Sequence, residues 1–139
     1  MIPINHLAVI VATVAAFIVG FMFHGPLFGK LWMKLANVTP TGKEKFSDMY
    51  GQIAMSILTY LVMAYGFAVI YAFAFTSSLL GGATVMTGLI AGFVVWLGFV
   101  VTTSSMDVTW LKHSKKLWAF EAICNGVIIA VMALIISAW

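Results

Sequence analysis

Charged residues and cysteine are both rare in this sequence. Seven lysines, four acidic residues and no arginine make up 8% of its 139 residues, whereas soluble domains carry about 25% charged residues. Cys124 is the single cysteine, which excludes a disulfide within the chain and a cysteine-rich metal site. Hydrophobic residues make up 63% of the chain. A soluble core of this size cannot bury so much apolar surface, so we expect a lipid bilayer as the main partner of the chain.

The charge balance and the missing motifs also limit the function classes. The net charge of +3 is small and lies in short loops, which argues against nucleic-acid binding. The sequence contains no G-x-S-x-G, H-E-x-x-H, P-loop or G-x-G-x-x-G motif, and its three histidines lack metal-ligand spacing. We therefore expect no enzymatic activity, no cofactor, no metal site and no nucleic-acid partner.

Four apolar stretches are each long enough to cross a bilayer as a helix, which takes about 20 residues. They cover approximately residues 4–23, 49–75, 83–106 and 117–138. We predict an all-α integral membrane bundle of four transmembrane helices, formed as one domain over residues 1–139. Pro26 should end the first helix at His24-Gly25-Pro26, because proline cannot make the helical hydrogen bond. No lysine precedes the first apolar run, which favours a retained helix over a signal peptide.

The segments between the spans have their own patterns. Leu27–Leu35 places apolar side chains at helical spacing with two lysines on other faces, which predicts a short amphipathic helix in the membrane interface. In the polar loop that follows, Ser47 is expected to cap the second span, and Asp48 to favour its positive N-terminus. Asp107–Lys116 is predicted to form a second basic loop.

The lysines predict the orientation, because they all lie in the loops after the first and third spans. They are Lys30, Lys34, Lys43, Lys45, Lys112, Lys115 and Lys116. By the positive-inside rule, both loops are cytoplasmic and both termini lie outside. We expect the plasma (inner) membrane of a bacterium, with anionic lipid in contact with the lysine loops.

Small residues recur at every fourth position in each span, which lets helix backbones approach closely in lipid. The four sets are Ala8, Ala12, Ala16 and Gly20; Ala64, Ala68 and Ala72; Thr84, Gly88 and Gly92; and Ala122, Gly126 and Ala130. We predict that they pack the four helices against one another. Self-association into a homo-oligomer through one of these faces is the alternative.

The end of the first span resembles a known motif. The segment Phe21-Met-Phe-His24-Gly-Pro26-Leu-Phe-Gly29-Lys-Leu-Trp32 is similar to the proline, leucine, phenylalanine, glycine and tryptophan pattern of the membrane family called domain of unknown function 1761. Trp96-Leu-Gly98 and the order of four helices resemble that family as well. The chain departs from the pattern at His24, where tyrosine is expected, and at Asn125. The resemblance implies a four-helix membrane fold and no particular activity.

Polar side chains gather at the lysine-bearing end of the predicted bundle. Glu121 and Asn125 share one face of the fourth span and lie about 7 and 13 Å inward if Lys116 marks the interface. Ionisable groups inside a membrane are energetically costly, which makes them functional candidates. The candidate residues of a cytoplasm-facing polar pocket are His24, Gln52, Thr103, Asp107, Glu121 and Asn125.

Each candidate also has a structural interpretation. Glu121 can pair with Lys112 or Lys116 and fix the helix end. His24 can be a hydrogen-bonded interfacial residue or a pH-sensitive partner of Glu121, since histidine titrates near neutral pH. Asn125 can serve as a hydrogen bond between helices, worth about 0.6 kcal/mol.

The polar residues near the end of the third span have similar alternatives. Asp107 can cap a loop or pair with a lysine. The hydroxyls of Thr102–Ser105 are expected to bond back to carbonyls of their own helix.

Two functions fit these patterns. The first is a small transporter, channel or lipid- or ligand-binding protein, in which Glu121 holds a charge or a proton and Asn125 orients a ligand. The alternative is a structural or accessory membrane protein without a substrate, whose polar residues only join its helices.

Overall fold

The computed structural model describes residues 4–40, 49–76 and 82–139. Its α-helices are α1 (His6–Met22), α2 (Gly29–Ala36), α3 (Tyr50–Thr76), α4 (Val85–Val95), α5 (Thr102–Trp110) and α6 (Lys115–Ala138). Two π-helical turns, Phe23–Leu27 and Trp96–Val101, extend α1 and join α4 to α5. The expected caps Ser47 and Asp48 lie outside the described residues.

The predicted all-α membrane bundle is confirmed. Within the described ranges, four helical segments are long and apolar enough to cross a membrane: His6–Leu27, Tyr50–Ala74, Val85–Trp110 and Lys115–Ala138. Many large apolar side chains point outward from these segments, as lipid requires. Below, the lysine-bearing end means the end that carries Lys30, Lys34, Lys112, Lys115 and Lys116.

The first span is longer than predicted, because Pro26 does not end it. The helix continues through Pro26 as the π-helical turn Phe23–Leu27. A π turn changes the local hydrogen-bond register, which lets a membrane helix accommodate the missing N–H of proline. The chain leaves the helix at Phe28, whose φ is −127°, and the amphipathic helix therefore begins at Gly29 instead of Leu27.

The third span is also longer than predicted, and Asp107 lies in a helix instead of a loop. No glycine or proline interrupts the chain between Asp107 and Trp110, so α5 continues to Trp110. The helix ends where Lys112 takes a left-handed conformation, with φ 55°. There the Asp107 carbonyl accepts hydrogen bonds from the backbone N–H groups of Leu111 (3.1 Å) and His113 (3.2 Å). Since α6 begins at Lys115, the true loop is only 111–114.

Small residues bring the helices together much as predicted. Helix α6 packs against both α1 and α4, and α3 packs mainly against α1. The whole α1 set is buried, as are Ala64 and Ala68 of α3. Gly88 and Gly92 of α4 lie so close to Ser137 and Ala133 of α6 that added methyl groups would collide with them or touch them tightly. Larger side chains fill the core beside these small residues. The most buried large ones are Ile128, Met132 and Cys124.

Candidate functional site

His24 and Glu121 form an ion pair between the first and fourth spans. The π-helical turn carries His24, and the second turn of α6 carries Glu121, 97 residues later. The imidazole Nε2 lies 3.1 Å from Glu121 Oε1 and 3.2 Å from Oε2. About a third of each side chain is exposed, 33% and 36%. The structure therefore brings together two of the three titratable candidates, and the described residues include no lysine paired with Glu121.

The hydrogen bonds of the His24 ring fix the number of protons in this pair. The other ring nitrogen, Nδ1, lies 3.0 Å from the backbone carbonyl oxygen of Gly20. A carbonyl only accepts hydrogen bonds, so Nδ1 must carry a proton. One further proton then lies between Nε2 and the carboxylate, either as imidazolium with carboxylate or as neutral imidazole with carboxylic acid. Both forms satisfy every contact, which makes the pair a place where a proton can be held.

Trp32 of α2 is the third member of the cluster. Its indole Nε1–H donates to Glu121 Oε1 over 2.9 Å. This contact requires α2 to fold back tightly beneath the π-helical turn. Gly29 makes that possible, because a Cβ at this buried position would lie 2.8 Å from the backbone oxygen of His24. Gly29 and Trp32, which both belong to the sequence motif, thus together hold α2 against the His24–Glu121 pair.

Aromatic rings surround the ion pair. The His24 ring meets the rings of Trp32 and Phe120 edge-on, with centroids 5.4 and 5.9 Å apart. Phe28 and Phe23 close the cluster, since both rings lie near Phe120, at 6.2 and 6.3 Å. Apolar rings exclude water and lower the local dielectric, which strengthens the attraction between the charges.

The indoles of Trp96 and Trp118 hydrogen-bond the first half of α6 to the third span. Trp96, in the second π-helical turn, donates to the carbonyl oxygen of Ala122 over 2.8 Å. Gly126 leaves room for that indole, since an added Cβ would lie 3.0 Å from its Nε1. Trp118 donates to Ser104 Oγ on α5 over 3.0 Å. These bonds fix the part of α6 that carries Glu121.

A groove lies beside His24, between α1 and α3. Its volume is about 320 Å³. It is lined by Phe17, Gly20, Phe21, His24, Met49, Gln52, Ile53, Ser56 and Tyr60. The polar residues of α3 in this set are spaced four apart and so share one helix face. Tyr60 lies directly over Gly20, where any side chain would collide with its hydroxyl. The groove therefore has a row of polar groups from α3 beside His24, with apolar side chains from both helices around them.

Within the described residues, the remaining candidates do not bond to His24 or Glu121. Gln52 lines the groove. Asn125 is half-buried one turn further along α6, and its side chain has no hydrogen bond recorded among the described residues. Thr103 and Asp107 are exposed on α5. The expectation for the Ser/Thr run is confirmed, because Thr102 and Ser104 donate to Gly98 and Val100 of their own helix over 2.6 Å and Thr103 donates to Phe99.

Three residues at this site are not among the candidates predicted from the sequence: Trp32, Ser56 and Tyr60. For the last two a signal exists, because Gln52, Ser56 and Tyr60 repeat at intervals of four in an otherwise apolar span. Trp32 was assigned to the membrane interface, and nothing in its local sequence shows that its N–H meets a carboxylate. In the described residues, no group of three or more His, Cys, Asp or Glu side chains could hold a metal ion.

Comparison with known proteins gives a family. The family model described as "Protein of unknown function (DUF1761)" matches residues 7–137. No curated protein and no solved structure matches the chain. The match covers all four spans and the cluster at His24, Trp32 and Glu121. The chain therefore belongs to the DUF1761 family.

Proposed function

We propose that this membrane protein binds a small ligand in the groove between α1 and α3 and couples its occupancy to the proton on the His24–Glu121 pair, as a transporter does. The observation that carries the proposal is that His24 belongs to both features. Its ring holds the shared proton with Glu121, and the same ring lines the groove. A ligand that enters the groove touches the proton-holding group directly. The proposal assigns no catalytic step to the protein.

We also propose which side of the membrane the groove faces. The groove and the pair lie at the lysine-bearing end, which the positive-inside rule assigns to the cytoplasm. The groove would then open toward the cytoplasmic leaflet. Lys30 and Lys34 of α2 would contact anionic lipid there. Movement of α2 would uncover the pair, since Trp32 is its hydrogen-bond partner on that side.

A structural role is the second candidate, and one observation favours it. Glu121 joins the first span, α2 and α6 through the contacts of His24 and Trp32. An ion pair with these contacts holds an amphipathic helix on the bundle without any ligand. In that case the proton would stay fixed, and replacing Glu121 would change stability alone.

Proton movement separates the two functions. We would reconstitute the protein in liposomes on a solid-supported membrane and record the current that follows a rapid pH jump. We expect a transient current in the unmodified protein that is lost in Glu121→Gln, because glutamine keeps the shape of the side chain but cannot bind the proton. Asp107→Asn is the matched control, since Asp107 is an exposed carboxylate on α5 and is not among the hydrogen-bond partners of the pair. It should keep the current.

Protein-free liposomes set the background for this measurement. A current no larger than that background in the unmodified protein would contradict coupled proton binding. If Glu121→Gln then lowered the melting temperature as well, the structural role would be the better account.

A further inference from the structure

The charge that His24 can carry determines which ligands the groove beside it favours. Among the described residues that line it, His24 is the only one that can carry a charge near neutral pH. The other polar groups are an amide, a hydroxyl and a phenol, from Gln52, Ser56 and Tyr60. Glu121 meets the Nε2 side of the imidazole and does not line the groove. Because the described part of its wall contains no carboxylate, the groove favours an anionic group over a cationic one.

Charges outside the groove act in the same direction. Lys30 and Lys34 extend from α2, and Lys115 and Lys116 from the first turn of α6, all exposed at the same end of the bundle. Clustered charges of one sign raise the local concentration of ions of the opposite sign. An anion would therefore be attracted to this end before it meets His24.

The rest of the groove wall is apolar. Phe17, Phe21, Met49 and Ile53 give it a surface that a hydrocarbon chain can cover. The volume of 320 Å³ equals that of on the order of ten water molecules and lies within the range of small-ligand sites. That space holds one headgroup and part of one chain.

We propose that the groove binds an amphiphile with an anionic headgroup. The headgroup lies beside His24, Gln52 and Tyr60, and one hydrocarbon chain lies against Phe17 and Phe21. This inference deepens the proposed function and rests on it, because it names the ligand class of the same site. The anion can come from a free single-chain amphiphile or from an anionic phospholipid of the bilayer.

Binding of the anion should take up a proton. Among the described residues, the polar groups that face the His24 ring are Glu121 and Cys124 from α6 and Trp32 from α2, and Tyr60 of α3 lines the groove with it. While Glu121 is ionised, its charge cancels that of the imidazolium, and an incoming anion meets a neutral pair. Protonation of Glu121 leaves a net positive charge. A permanently anionic ligand should therefore bind with uptake of one proton, and more tightly as the pH falls.

Photocrosslinking tests the ligand class. The probe is an eight-carbon alkyl sulfonate that carries a diazirine on its chain, added to protein in phosphatidylcholine liposomes. Mass spectrometry should find the label on α1 and α3 at groove residues. The matched probe has the same chain with a trimethylammonium headgroup. We expect the sulfonate to label these residues about tenfold more than the cation, since the trimethylammonium group would lie beside the like charge of the imidazolium.

Two substitutions on α3 test the location. Ile53→Trp fills the groove and should remove the label, whereas Leu58→Trp adds the same side chain at an exposed position of α3 outside the groove and should leave the label unchanged. Gln52→Glu keeps the size of the side chain and adds a negative charge, so it should reduce labelling by the sulfonate about tenfold.

Equal labelling by both probes, or labelling that Ile53→Trp does not affect, would overturn the inference. Addition of phosphatidylglycerol to the liposomes distinguishes the two sources. Loss of the sulfonate label in its presence assigns the site to a bilayer lipid, and retention assigns it to a free amphiphile; both support an anionic headgroup. If the pH-jump current is present but the sulfonate does not label the groove, the ligand class is wrong and the proposed function stands.

Discussion

At the end of the bundle away from the lysines, the described polar side chains bond mainly to their own helix, and Tyr71 of α3 donates to the Thr84 carbonyl over 3.2 Å. Asn5 caps α1 by accepting from Leu7 and Ala8 N–H at 3.1 and 3.2 Å, and Thr13 donates to the Val9 carbonyl over 2.8 Å. At the lysine-bearing end, Glu121 bonds to side chains from two other segments. Helix starts need such local caps wherever they occur. A charged side chain bonded to two other segments meets no such local need, which is why our proposal places the site at the lysine-bearing end.

We therefore expect close helix packing to stabilise the end away from the lysines, and the cluster of His24, Trp32 and Glu121 to stabilise the lysine-bearing end. The largest effect should come from Gly88→Ala, near the N-terminus of α4. The added Cβ would collide with Ser137 and lie 3.2 Å from the Ala133 carbonyl. We expect a loss of about 3 kcal/mol in the free energy of unfolding. Gly66→Ala is the control, since its Cβ would meet nothing within 4 Å. Denaturation in detergent measures both, and equal stability of the two variants would show that the close packing is absent.

Glu121→Ala should have the next largest effect. It removes the partner of both His24 and Trp32, and we expect a loss of about 2 kcal/mol, less than for a fully buried pair because about a third of each charged side chain is exposed. Asp107→Ala should change the free energy of unfolding by less than about 0.5 kcal/mol, as exposed substitutions do. Comparable losses in the two variants would place both carboxylates in similar environments, against the structure.

Gly29→Ala tests the fit of α2 against the π-helical turn. The methyl group would push against the backbone oxygen of His24, so we expect a loss of about 1.5 kcal/mol and displacement of Trp32 from Glu121. Displacement should appear as a shift in the indole ¹⁵N–¹H resonance of Trp32. The control is Gly25→Ala, whose Cβ would meet only the Phe21 ring at 4.0 Å. An unchanged Trp32 resonance in Gly29→Ala would mean that α2 does not fold back so closely.

A smaller effect than that of Gly29→Ala is expected for Asn5→Ala at the opposite end. Loss of the cap should cost about 1 kcal/mol. Because the cap is local, the pH-jump current should stay as in the unmodified protein. A changed current would show that the two ends are coupled, and the division between them would not hold.

Features that depend on nearby residues could be predicted from the sequence. The four spans, the small-residue contacts and the back-bonding of Thr102–Ser105 follow from composition and helical spacing. The two π-helical turns were missed, because the sequence rule for Pro26 describes only an α-helix and gives no account of a wider turn. The sequence alone did not identify the partner of Glu121, because the nearby lysines and the distant His24 were all possible partners. Only the packing of α1 and α2 against α6 decides in favour of His24.

The most direct test of the account is solid-state NMR of the protein in bilayers, with ¹⁵N in the histidine rings and ¹³C in the glutamate side chains. The account predicts a through-space correlation between His24 Nε2 and the Glu121 carboxyl carbon, with His24 Nδ1 protonated. The correlation should disappear in Glu121→Ala. A His24 ring without that correlation, or with an unprotonated Nδ1, would contradict the shared proton on which the proposed function depends.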